Sequence, residues 1–488
     1  MRHVSLPHVL ITGLVVPATV IATGSAALAA TGIAAAPSCT VSWVGGGSTT
    51  LWTNAQNWST GQVPGPASDV CMTPFDFVTA NVPVRIHSLH VGGEMTVIFE
   101  GTAAHPSQVH IATTLGNAGN VELLNAALSV PQMDNGNGVE SQGTSVLTSP
   151  AFHNGGTVAA LAGRLTLTDS LAQLSNGTLT GGSWDALASG TLVLPGDVTS
   201  LTSGEISLGA GSAIDDPAHS TALARLGSIG PAATLALAET SLSLAGSLTA
   251  NGNVDVGGYD GGADLTVAGT LTQAKGALTM VNQSTLTART VTIGHAASLS
   301  ANGTITGNLV NNGSVGPASH LSVTGSYTQT ATAMLNSGFV SELMVEGKAT
   351  LAGELIARQA PSPTPGSHGT AITFASVTGG FTTHSLGFNI VTGANQVGVV
   401  AQPQIAPTAT TVAPGGPVMV NGGDFGLGSN VTVFLDRAGG TVLGTATPGD
   451  YGDFTMTGTI PSSVAAGRHK IVAVGSDGRR ATAMITVS

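Results

Sequence analysis

Apolar and polar residues alternate in short runs along most of this chain. The segments 241–249, 263–272 and 277–281 each place Leu, Val or Met at nearly every second position. A period of two residues is typical of a β-strand with one buried face. The pattern therefore predicts many short strands joined by tight turns, with apolar side chains inside and Ser, Thr and Asn outside.

A five-residue unit, Ala-Gly-x-Leu-Thr, recurs within this alternating region. It begins at Ala245 and returns at Ala268, 23 residues later. A step in the low twenties is about one coil of a parallel β-solenoid. From Arg85 to Val400 the sequence therefore predicts a parallel β-solenoid, with about 14 coils and a length of roughly 70 Å at ~4.8 Å per coil.

A second unit, an Asn/Gly turn followed by Val, occurs at residues 117–121, 154–158 and 312–315. Asn and Gly tolerate positive φ, so these units are expected at sharp corners between strands.

Composition favours an all-β fold built of narrow coils. Only 8% of the residues are charged and 42% are hydrophobic, which is not the balance of a disordered chain. The 68 glycines argue against long helices. Aromatic residues make up 4%, fewer than a string of β-sandwiches would need for their cores. The formal net charge is −12 without a basic stripe, so we expect no nucleic-acid partner.

Residues 1–29 have the pattern of a signal peptide. A short basic start, Met1-Arg2-His3, precedes an apolar run from Val9 to Ile21 and a small-residue site that ends at Ala29. A membrane anchor is the alternative, but Pro17 interrupts the run and the run is short for a span. No later segment is long and apolar enough to cross a bilayer. We therefore expect a secreted, extracellular or cell-surface protein.

Residues 30–84 form a Trp-rich segment that precedes the repeats. Cys39 and Cys71 are close in an exported chain, which predicts a disulfide between them. Trp52 and Trp58 lie in the same segment. Solenoids need a cap over their first coil, and clustered Trp residues suit a cap. The alternative is that Trp52 and Trp58 form an aromatic patch for stacking on a glycan.

Residues 401–488 show a different pattern. About seven short strands with Gly/Pro turns occur in fewer than 100 residues, as in the stretches 417–425, 431–435 and 467–475. This density of strands predicts a small β-sandwich.

Few residues carry candidate chemistry. Glycoside cleavage needs two carboxylates at a defined separation. Asp255, Asp260 and Asp264 are the best carboxylate cluster, and the alternative is that they are solvated residues of Gly-rich turns. The stretch 257–264 also weakly matches a calcium-binding Gly/Asp nonapeptide, but its spacing differs and it is not repeated. No His or Cys grouping with metal-ligand spacing is present, so we expect no metal site and no cofactor, with Ca²⁺ as the alternative.

The segments 303–316, 321–329 and 343–355 resemble the final coils of autotransporter-type passengers and other exported bacterial β-strand-repeat proteins. That resemblance implies a pectin-lyase-like, right-handed parallel β-helix. Residues 417–425 and 467–475 resemble Ig-like modules of the IPT/TIG type from bacterial surface proteins. Such modules act as spacers or adhesive ends.

These observations together predict a non-enzymatic, secreted or cell-surface structural or adhesive protein. Its partner would be an extracellular glycan or a surface protein. The alternative hypothesis is a polysaccharide-binding or polysaccharide-degrading β-helix.

Overall fold

The computed structural model describes residues 38–73, 76–218, 221–258, 261–357, 359 and 361–488. The predicted signal peptide therefore lies outside the described residues. β-Strands make up 62% of the structure, and its described part contains no α-helix. One 3-10 turn is present, at Ala55–Asn57. The predicted all-β class with a parallel solenoid is confirmed.

The strands of the N-terminal segment and the solenoid are numbered β1 to β33. In chain order they are Val41–Ser42, Asp69–Met72, Asp76–Ala80, Val84–Ile86, Ser88–Val91, Met95–Glu100, Ser107–Ile111, Thr114–Asn117, Asn120–Leu124, Ala126–Ser129, Gln132–Asn135, Gly138–Thr148, Ala151–Asn154, Thr157–Thr168, Leu174–Ser175, Thr178–Ala186, Thr191–Val193, Ser200–Leu208, Ala213–Asp215, Ser228–Leu237, Ser241–Leu244, Leu248–Ala250, Asn253–Val256, Asp264–Asn311, Ser314–Val323, Tyr327–Gln329, Met334–Asn336, Glu342–Leu351, Glu354–Ile356, His368–Gly379, Thr383–His384, Phe388–Thr392 and Gln396–Ala401.

The C-terminal strands are numbered β34 to β41. They are Gln404–Pro407, Thr411–Val412, Pro417–Gly423, Val431–Leu435, Thr441–Ala446, Phe454–Thr459, Gly467–Gly475 and Arg480–Val487.

Strands of successive coils pair in parallel and in register. Leu242 of β21 lies beside Leu265 of β24, and Leu248 of β22 lies beside Leu271. Both partners are 23 residues apart, so the step predicted from the repeated unit is confirmed. The solenoid has about 13 turns, one fewer than expected. At ~4.8 Å per turn, its length is roughly 60 Å.

The inward-facing side chains form one continuous core from Val41 to Ala401. Leu, Val, Ile and Ala fill most of it, which follows from the alternation because every second side chain of a strand points to the same face. Burial of these rows removes apolar surface from water on every coil. The core is therefore shared by all coils, and none of them has a core of its own.

Buried amides replace apolar side chains at one corner of the solenoid. Asn117, Asn135 and Asn154 lie on successive coils. Asn117 Nδ2 donates to Asn135 Oδ1 at 2.8 Å, and Asn135 Nδ2 donates to Asn154 Oδ1 at 2.7 Å. Gln173 continues the row through a 2.7 Å bond from Nε2 to the Asn154 carbonyl oxygen. The expectation that such Asn residues provide positive φ is wrong for Asn117 and Asn154, which are not left-handed. Their role is side-chain hydrogen bonding between coils.

The N-terminal segment packs on the first coil as a cap. Val41 pairs in parallel with Val70, so the parallel ladder begins well before Arg85. The predicted disulfide is present, since Cys39 and Cys71 are bonded with their Cα atoms 5.7 Å apart. The disulfide therefore lies within the N-terminal segment, and β2 of this segment pairs in parallel with β5 of the next coil.

An antiparallel hairpin closes the other end of the solenoid. β33 pairs antiparallel with both β30 and β32. Phe388, Val397 and Val399 of this hairpin are buried against the core. The hairpin therefore covers the apolar end of the last coil.

The C-terminal strands form two sheets around a second core. One sheet has the order β34-β36-β39 and the other the order β35-β41-β40-β37-β38. Val420 from the first sheet and Ile471 from the second belong to the same buried cluster, together with Phe425. The predicted small C-terminal sheet region is therefore present.

Candidate functional site

The predicted carboxylate cluster is not assembled as expected. Asp255 lies on β23 beside Ala236 of β20, whereas Asp264 begins β24 beside Ser241 of β21. The two aspartates are thus on different strands of the coil, and Asp264 accepts a 3.3 Å hydrogen bond from Ser241. Asp260 lies outside the described residues.

The structure instead groups Asp255 with two carboxylates that sequence reasoning missed. On successive coils, Asp185 is paired with Ser207, Ser207 with Ala236, and Ala236 with Asp255. Glu205 lies in the neighbouring row, two positions along the strand, and is paired with Ser183. We call Asp185, Glu205 and Asp255 the carboxylate row. Its members project from one outer face over four successive coils.

Partial burial changes the ionisation of all three carboxyls. Burial raises the pKa of Asp185 to about 6, a hydrogen bond from Ser183 opposes the rise, and the charge of Glu205 adds to it. Burial also raises the pKa of Glu205, and the charge of Asp255 adds to that rise. Burial raises the pKa of Asp255 against a hydrogen bond from Thr279. All three pKa values are thus shifted upward, and the pKa of Asp185 reaches about 6.

A carboxyl with a raised pKa, such as Asp185, is able to act as a proton donor at a higher pH than an ordinary aspartate. Perturbed carboxyls that lie together on a surface are candidates for acid–base work. Small side chains at Ser207 and Ala236 separate the acidic residues, so the face stays open to a large ligand. This arrangement is the best candidate for chemistry in the described residues.

Trp52 and Trp58 are buried in the cap, each only 2% exposed. The Trp58 indole donates a 2.8 Å hydrogen bond to the Trp52 carbonyl oxygen. The Trp58 ring packs edge-on against Trp52 and Trp43, with centroids 4.8 and 5.0 Å away. Neither Trp52 nor Trp58 presents a face to solvent, so a glycan-stacking role finds no exposed surface here. The geometry is that of a packed cap.

A buried ion pair within the C-terminal sheets also contacts the loop at residues 361–367 of the solenoid. Arg479 donates to Oδ1 of Asp424 at 3.0 Å, and the Asp424 side chain is fully buried. The same guanidinium donates at 3.0 Å to the Ser362 hydroxyl and at 3.0 Å to the Pro363 carbonyl oxygen. Ser362 and Pro363 belong to the Pro-rich loop before β30, so this junction ties that loop to both C-terminal residues.

The backbone also approaches closely at this junction. Gly387 has φ of 94°, and a Cβ there would lie 2.6 Å from the Asp424 nitrogen. Only glycine fits such a contact. The two regions are thus joined by close backbone packing as well as by the ion pair.

The described residues lack two further kinds of feature. They contain no group of three or more His, Cys, Asp and Glu side chains placed to hold a metal ion. They also contain no helix with the length and apolar character needed to span a membrane.

No protein-family model matches this chain, and no curated protein matches it either.

Proposed function

We propose that this protein is an exported, non-enzymatic structural and adhesive rod of the cell surface. The observation that carries the proposal is the single core that runs from Val41 to Ala401. A shared core makes the coils one stiff body. Hydrogen bonds from Arg479 to Ser362 and Pro363 then attach the C-terminal sheets to the loop before the last coil strands. A stiff spacer with a fixed terminal module suits display at a distance from a surface.

The surface chemistry supports the same role. With 8% charged residues, the outside of the coils consists mainly of Ser, Thr, Asn and Gly. Such a surface is hydrated and carries few charges, with acidic residues in excess, so it favours neither nucleic acid nor an acidic membrane. The alternation that builds the core also produces this surface.

Export and shape give the first test. The full chain is expressed in a bacterial host, and the exported product is sequenced from its N-terminus and measured by small-angle scattering. We expect a product that begins at Ala30 and an elongated particle with a solenoid of roughly 60 Å. A chain that keeps residues 1–29 and stays inside the host cell would contradict the proposal, and so would a compact particle.

A polysaccharide-acting β-helix is the second candidate function, because the carboxylate row favours it. The full chain is incubated with a panel of neutral and acidic polysaccharides, and reducing ends are measured. The rod proposal expects no cleavage above that of Asp185→Asn. Cleavage that disappears in Asp185→Asn and Asp255→Asn, but persists in Asp264→Asn, would establish the enzyme instead.

A further inference from the structure

A groove lies where the solenoid ends, between the loop at residues 338–342 and the terminal hairpin. Its volume is about 470 Å³, within the range of about 300–1,000 Å³ for small-molecule sites. We call it the terminal groove. It is separate from the carboxylate row and from the cap.

The floor of the terminal groove is backbone. Gly398 lies between Thr370 and Val391 on the three antiparallel strands. A Cβ at Gly398 would lie 3.2 Å from the Gly369 carbonyl oxygen. Gly398 carries no side chain on the groove side, whereas the Phe339 backbone closes over Gly369, 2.7 Å from where its Cβ would lie.

The walls of the groove are fixed before any ligand arrives. The Ser337 hydroxyl donates to the Ala371 carbonyl oxygen at 2.6 Å and lies 2.9 Å from the Ser341 carbonyl oxygen. The Phe339 ring packs against Phe388 of the hairpin with centroids 5.4 Å apart. A preformed site loses less conformational entropy on binding than a flexible one.

The side chains around the groove are polar but almost uncharged. His320 and Glu342 are register partners on adjacent coils, and His368 and Gln396 also line the groove. These groups supply both donors and acceptors of hydrogen bonds. The lining contains no Lys or Arg, so a phosphate, sulfate or uronate would meet Glu342 without a compensating cation.

Exposed aliphatic side chains form the rim. Val340 is 64% exposed and Val391 is 54% exposed, although the rest of the outer surface is mainly polar. Apolar rim atoms beside several hydrogen-bonding groups suit a ligand with both C–H faces and hydroxyls. A neutral sugar has that chemistry.

We propose that the terminal groove binds a neutral saccharide segment of one or two sugar units. The biological use of this binding rests on the adhesive role proposed above, because the saccharide would be the ligand of the adhesive rod. Glu342, His320 and His368 bond the hydroxyls, and Val340 and Val391 contact the apolar ring face. The binding involves no covalent step.

The test uses the full chain and neutral gluco-, manno-, galacto- and xylo-oligosaccharides of two to six units. Binding is screened on an array with acidic glycans and unrelated peptides alongside, and the affinity is measured by calorimetry. Glu342→Ala and His368→Ala are compared with the controls Glu346→Ala and His110→Ala. Both control residues are exposed solenoid positions outside the groove. Thermal unfolding checks that all four variants are folded.

We expect at least one neutral oligosaccharide to bind and both groove variants to weaken it tenfold or more, with the controls unchanged. Three results would overturn the inference. The first is that no neutral saccharide binds at about 1 mM. The second is that neither groove variant changes the affinity. The third is that the array captures only acidic glycans or peptides. Cleavage of the bound sugar would instead overturn the non-enzymatic proposal and leave the binding result intact.

Discussion

Asn135 donates from Nδ2 to Oδ1 of Asn154, one coil further along, at 2.7 Å. The same nitrogen lies 3.0 Å from the Thr157 carbonyl oxygen, and Oδ1 of Asn135 accepts from Asn117. Asn135 is thus the centre of the amide row, with each of its polar atoms paired. Buried polar groups that are paired in this way fix the register between coils, because a shift would leave them unpaired.

Replacement of this residue is expected to destabilise the N-terminal coils. Asn135→Ala leaves an acceptor on Asn154 and a donor on Asn117 buried without their partner, which corresponds to roughly 2–4 kcal/mol. Urea unfolding followed by circular dichroism measures the change. Asn137→Ala is the matched control, because Asn137 is exposed and two residues away. Equal stability of the two variants would contradict the structural role of the row.

The carboxylate row predicts a pH dependence of stability with a definite sign. Burial raises the pKa of Asp185 from 3.8 to about 6 in the folded protein. The folded state therefore holds the proton more tightly than the unfolded chain does. The stability that this provides is present below pH ~4 and is lost as the pH rises through 6.

The measurement compares the free energy of unfolding at pH 4.5 and pH 7.5. We expect the wild type to lose roughly 1–2 kcal/mol more than Asp185→Asn across this interval, after allowance for solvent screening. Glu346→Gln, an exposed residue away from the row, controls for general charge effects. A wild type and an Asp185→Asn variant with parallel pH profiles would refute the expectation.

The cap predicts that Trp58 stabilises the fold. Trp58→Ala removes a buried ring and its hydrogen bond to Trp52, at a loss of about 3–5 kcal/mol. The thermal midpoint is expected to fall, with glycan binding per folded molecule unchanged. Val63→Ala is the control, since Val63 is in the same segment and 40% exposed. Loss of glycan binding without loss of stability would support the stacking interpretation instead.

The junction predicts that Arg479 holds the C-terminal sheets in place. Arg479→Ala leaves the buried Asp424 carboxylate without its cation, which destabilises the C-terminal sheets by about 3–5 kcal/mol. It also removes the hydrogen bonds to Ser362 and Pro363. Small-angle scattering is expected to show a broader distribution of end-to-end distances. Arg480→Ala, the exposed neighbouring residue, controls for the loss of charge. An unchanged distribution in Arg479→Ala would mean that backbone packing alone holds the modules.

The fold could be predicted from the sequence because the patterns that indicate it lie within short segments. Strand alternation and the 23-residue step between Ala245 and Ala268 need no long-range information, and the register between Leu248 and Leu271 confirms the step. The disulfide was equally accessible, because Cys39 and Cys71 were the only pair to consider.

The carboxylate row could not be predicted from the sequence, because coil length varies along the rod. Asn117 and Asn135 are coil partners 18 residues apart, whereas Ser200 and Ser228 are 28 apart. With such variation, proximity in sequence favoured Asp264 as the neighbour of Asp255, while the register brings Glu205 nearer. The terminal groove was also hidden, because it arises where parallel pairing changes to antiparallel.

That change of direction has a consequence for self-association. A parallel stack ends in strands whose peptide groups and apolar rows would accept another coil, so bare solenoid ends are able to polymerise into fibres. Here the hairpin of β32 and β33 turns the last ladder antiparallel, and the disulfide-bearing cap covers the first. The two ends therefore do not present matching parallel ladders for end-to-end stacking of one rod on another.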